Sequence, residues 1–146
     1  MPEFELDDSA LPLLLTTFQN TNRAELFTEM ERRMRDVFSR VDKIVVVNDI
    51  KEMSMPDAAV RKLAAEVDAN LREAATRCVL LNIIIVRSKF TRGFMTALRW
   101  VNPAASPQAF VASPAEAAKL ALKTLGDAGL VTPAIENKLR LYANAA

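Results

Sequence analysis

Two short runs, KIVVVNDI at 43–50 and CVLLNIIIV at 78–86, are apolar at nearly every position. A strand with one wet face alternates apolar and polar residues. An unbroken apolar run is instead a strand buried on both faces, as in a parallel sheet covered from each side. Between the two runs lies a stretch opened by Ser54 and Pro56, where Val60, Leu63, Ala64, Val67, Leu71 and Ala74 recur at helical spacing. Strand, helix and strand in that order make a crossover unit, and such units build parallel sheets.

The rest of the chain extends this pattern. LPLLLTTF at 11–18 reads as a first strand with Pro12 near its start. Thr21 or Asn22 then caps a helix carrying Leu26, Phe27, Met30, Met34, Val37 and Phe38 on one face. After the 78–86 run, RSKFTRGFMTALRW at 87–100 is expected as a third helix, with Phe90, Phe94, Leu98 and Val101 roughly aligned. QAFVAS at 108–113 reads as a fourth, short strand, and Ser113 with Glu116 forms a capping box for the next helix. Gly126 and Gly129 are expected to stop that helix, and Thr132 and Pro133 open a last one at about 132–144. The expectation is one α/β domain over 1–146: a mainly parallel four-stranded sheet with β-α crossover helices and an extra C-terminal helix.

Composition narrows the chemistry. The chain has no histidine and a single cysteine, Cys78. Serine–histidine and cysteine–histidine nucleophiles, histidine acid–base work and most zinc or iron sites therefore drop out. There is no G-x-G-x-x-G or G-x-x-x-x-G-K-[ST] run among only three glycines, so no phosphate cradle or cofactor is expected. A net charge of +1 supplies no field to draw the chain to nucleic acid or an anionic membrane. One cysteine, an acidic MPEFELDD start and no apolar run of membrane-spanning length fit a cytoplasmic protein that is not an enzyme.

Ligands of open parallel sheets sit beyond the carboxyl ends of the strands. Those ends carry Asp49, then Arg87 with Lys89 and Arg92, then Ser113, while Ser54 and Arg61 come from the start of the second helix. An anion could use Arg87, Arg92 and the amides opening the third helix; more plainly, Asp49 pairs with Arg92 or Arg61 and ties helices to strands. Ser54 reads first as a helix cap. Gly93, early in its helix, suggests a close backbone approach. Asn82, alone in an apolar strand, is either a satisfied buried amide or a point where the strand changes face.

FELDDSALPLLLTTFQNT, VVVND, RGFMTALRWVNP and PQAFVASPAEAAKLAL together resemble a bacterial family with an R-G-x-x-T-A-x-x-W signature, matched here by Arg92, Gly93, Thr96, Ala97 and Trp100. The resemblance spans 4–125 and implies the STAS (SpoIIAA-like) fold, a β-α superhelix shared with anti-sigma-factor antagonists; it brings no activity. Asp49 and Ser54 loosely echo the phosphorylated-serine layout of that fold's regulatory members, but NDIKEMSMP lacks their glycine-containing loop. The ligand-binding candidates are thus Asp49, Ser54, Arg61, Arg87, Arg92 and Thr96. The first functional expectation is a non-enzymatic module that binds a protein partner in a regulatory role. The alternative is a small-anion or nucleotide binder, and an enzyme using Asp49 as base is a weaker third. Crossovers stepping one way leave their helices on one face, so the other face needs the N-terminal segment and last helix, or a second copy of the chain in a homodimer.

Overall fold

The computed structural model describes residues 4–19, 24–51, 57–93, 96, 104 and 106–145. Five strands form one sheet: β1 (Phe4–Ala10), β2 (Leu13–Phe18), β3 (Ile44–Ile50), β4 (Val79–Ile85) and β5 (Gln108–Val111). They lie side by side in chain order. β1 runs antiparallel to β2, and the other pairings are parallel. The sheet is therefore mixed and five-stranded, which corrects the expected mainly parallel four-stranded one.

The additional strand is FELDDSA, whose charges conceal it. As an edge strand it needs few apolar residues, and its acidic side chains discourage pairing with another chain. Phe4 and Ala10 are buried, and the Phe4 ring lies 5.0 Å from that of Phe18. Arg33 sits over the same ring at 5.9 Å. Leu11 and Pro12, joined by a cis peptide, form the turn between β1 and β2, so the strand read from 11 begins at Leu13.

Helices α1 (Ala24–Arg40) and α2 (Ala58–Cys78) pack on one face of the sheet. There Met34, Val37, Phe38, Val67 and Leu71 meet Leu14, Ile44 and Val46. The strand alternation sends Leu13, Val45, Val47, Ile83 and Ile85 to the opposite face. That face is covered by α3 (Pro114–Asp127) and α4 (Pro133–Asn144), through Ala117, Ala121, Leu125, Ile135 and Leu139. No crossover constrains the chain after β5, so it is free to fold back under the sheet. The chain thereby covers its own second face, and the open face that motivated a homodimer does not arise.

Local chemistry sets the helix ends. Asp57, rather than Ser54, caps α2 by accepting from the Val60 amide at 2.9 Å; Ser54 and Pro56 lie outside the described residues. Ser113 caps α3, accepting from the Glu116 amide at 3.2 Å, and Glu116 reaches back to the Ala112 amide at 2.8 Å. α3 runs through Gly126 and stops after Asp127, with Gly129 at φ 72° completing the turn. A left-handed residue just past a helix end suits glycine, which lacks the Cβ that makes this conformation costly. Among the described residues no helix is long and apolar enough to cross a membrane.

Candidate functional site

β3 and β4 are in parallel register, with Asp49 opposite Ile85. Asp49 continues the series Val45, Val47, and Arg87 continues Ile83, Ile85. Both side chains therefore project toward the α3/α4 face at the carboxyl edge. There Arg87 donates to the two carboxylate oxygens of Asp49, from Nη1 at 2.6 Å and Nη2 at 3.2 Å. Lys51 adds a contact of 3.0 Å to Oδ2. Asp49 is only 3% exposed. Burial alone would raise its pKa, but the hydrogen bonds from Arg87 and Lys51 and their charges outweigh it and hold the carboxyl below its ordinary value. Arg87 is stabilised as a cation in return, chiefly by its hydrogen bond to Asp49. Tyr142 of α4 completes the surroundings. Burial, then the Asp49 charge, pushes its phenol pKa up against a smaller opposing pull from Arg87.

Asp49 is buried and both of its oxygens accept hydrogen bonds from cations, which ties the ends of β3 and β4 together. The planar fork of an arginine suits this paired grip, which a lysine could not reproduce.

Arg92 does not reach Asp49. Its Nη1 donates to the Val86 carbonyl at 2.8 Å and the Arg87 carbonyl at 3.1 Å, tying off the end of β4. Ser88 opens the helical residues 89–93, its hydroxyl accepting from the Thr91 amide at 3.2 Å. Thr96 is exposed and donates to the Arg92 carbonyl at 2.9 Å. Arg61 is exposed on α2, which packs on the other face from Asp49. Among the described residues nothing lies within 4 Å of the Cβ position at Gly93, so none of them makes the expected close approach there. Of the sequence candidates, Asp49 and Arg87 are joined, Arg92 and Thr96 stand on the same edge, and Arg61 stands apart. Phe94, Ala97, Leu98, Trp100 and Val101 lie outside the described residues, as does Ser54.

Two features escaped the sequence reading. Phe90 points out of the fold beside this edge, 85% exposed. On the α1/α2 face, Thr16 and Asn48, in register on β2 and β3, and Asn82 and Gln108, in register on β4 and β5, form a stepped polar row. The Thr16 hydroxyl donates to Asn48 Oδ1 at 2.7 Å, and Asn48 Nδ2 donates to Asn82 Oδ1. Asn82 is half-buried, and its Oδ1 has a partner in Asn48. Among the described residues no group of three or more histidine, cysteine, aspartate or glutamate side chains is placed to hold a metal ion.

No protein-family model, curated protein or solved structure matches the chain.

Proposed function

We propose that the chain is a non-enzymatic STAS-like (SpoIIAA-like) module that binds a protein partner in a regulatory role, acting in the cytoplasm. The fold reading draws support from strands 2–5, which lie adjacent in chain order as in a β-α superhelix. It also draws on the R-G-x-x-T-A-x-x-W run that follows β4. The observation that carries the functional reading is Phe90. It stands 85% exposed just after the carboxyl end of β4, next in sequence to Lys89. An exposed, rigid aromatic is a side chain of the kind that anchors protein interfaces, where a few aromatic and arginine residues carry most of the binding energy.

An anion or nucleotide site at the same edge has less support. Arg87 is committed to Asp49, Arg92 to two backbone carbonyls and the Thr91 amide to Ser88. Affinity capture with wild-type protein and with Phe90→Ser tests the reading, with Leu122→Ser as a control at another exposed apolar residue. The expected result is a specific protein that co-purifies with wild type and the control but not with Phe90→Ser. Equal recovery with all three would overturn the reading.

A further inference from the structure

The polar row on the α1/α2 face forms the floor of a cleft of about 240 Å³. Its walls are apolar, with Phe27, Met30 and Met34 from α1 and Val67 and Leu71 from α2. The buried residues of β2 to β4 that meet these helices are Leu14, Ile44, Val46 and Val79, all apolar. Thr16 is in register with Asn48 and Asn82 with Gln108, the second pair two residues earlier along the strands, so four polar side chains adjoin on an otherwise apolar face. A row that served packing alone would be hydrogen-bonded from end to end, because a half-satisfied buried network is less stable than an apolar floor. This one is not. Hydrogen bonds run from Thr16 through Asn48 to Asn82, whereas Oε1 of Gln108, in register with Asn82 on the next strand, is buried with no partner.

We propose that this cleft is a binding site for a neutral, ring-sized organic molecule whose hydroxyl or N–H donates to Gln108 Oε1. Size follows from the volume: a cavity of about 150 Å³ suffices for benzene, and this one is larger without reaching the range of drug-sized pockets. Neutrality follows from the lining. The floor offers amides and a hydroxyl, and the charged group among the described lining residues is Asp68, exposed on α2. The donor is fixed by the acceptor left unpartnered. The site lies on the opposite face of the sheet from the Asp49–Arg87 pair and is independent of the partner surface at Phe90.

Phenol and toluene, nearly equal in size and differing in one hydroxyl, are the probes. Titration of wild-type protein should show phenol binding about tenfold more tightly, the fold-change expected from one hydrogen bond to a buried acceptor. The Gln108 side-chain amide resonances should move with phenol and not with toluene. Gln108→Leu should bind both probes equally. Failure of both to bind, as when water or the chain itself fills the space, would overturn the proposal. So would equal affinity in wild type, or a phenol preference that survives in Gln108→Leu. The amide resonances decide the matter in wild-type protein even if the variant does not fold.

Discussion

Asp49 and Arg87 meet side-on at the ends of adjacent parallel strands, two nitrogens against two oxygens at 2.6 and 3.2 Å. The partners are unequally buried: the Asp49 side chain is 5% exposed and that of Arg87 43%. Removing the arginine strands a buried carboxylate, whereas removing the carboxylate frees a cation that already reaches water. Arg87→Met is therefore expected to cost more than Asp49→Asn. Breaking a wholly buried pair costs about 3–5 kcal/mol, and the exposure of Arg87 and the second cation at Lys51 reduce this to about 1–3 kcal/mol. Urea denaturation of the two single variants and the double variant measures it. An Asp49→Asn loss equal to or larger than that of Arg87→Met would contradict the asymmetry.

The lowered pKa of Asp49 fixes the direction of a pH effect. A carboxyl held below its unfolded value, about 3.9, contributes stability that is fully present above that value. The contribution is lost as pH falls through the folded value. The stability difference between wild type and Asp49→Asn should be flat from neutral pH down to about 5 and shrink below about 4. Asp7 and Asp8 also have lowered values, but both proteins keep them, so subtraction isolates Asp49.

Tyr142 is the single tyrosine of the chain, so its ionisation can be read without interference. Its raised pKa means that the unfolded chain ionises first, at about 10, and stability should fall as pH rises past that point. The phenolate absorbance should appear together with loss of the far-ultraviolet helix signal. A separate step near 10 in folded protein would place Tyr142 in water.

The α3/α4 layer approaches the sheet through small residues, with Ala117 and Ala121 fully buried against it. Ala121→Leu adds atoms where there is no room and should destabilise by about 1–3 kcal/mol. Leu122→Ala, one position along and 40% exposed, should change stability by less than about 0.5 kcal/mol. Thermal unfolding of both variants tests whether this helix closes the second face.

What was legible in the sequence follows burial. VVV in β3 and III in β4 announce strands covered on both faces, the periodicity of α1 and α2 announces their packing, and the Ser113–Glu116 capping box announces the start of α3. Three further features were hidden for identifiable reasons. β1 is an edge strand whose Glu5, Asp7 and Asp8 read as a charged tail. Asn82 could be judged only beside Asn48, which hydrogen-bonds to it from β3, and Gln108, which is in register with it on β5. The choice of Arg87 over Arg92 depends on strand alternation, which carries Arg87 to the face of Asp49, whereas Arg92 turns back onto the β4 carbonyls. Counting charges near a strand end finds the edge but not the pairing.

The edge bearing Phe90 is the surface proposed to meet a protein partner. The most direct measurement places a photo-crosslinking phenylalanine analogue at position 90 of the full chain in growing cells, with the same analogue at Leu122 as reference. A covalent adduct of one discrete mass is expected from position 90 and not from position 122. No adduct from position 90, or the same products from both sites, would contradict the proposal.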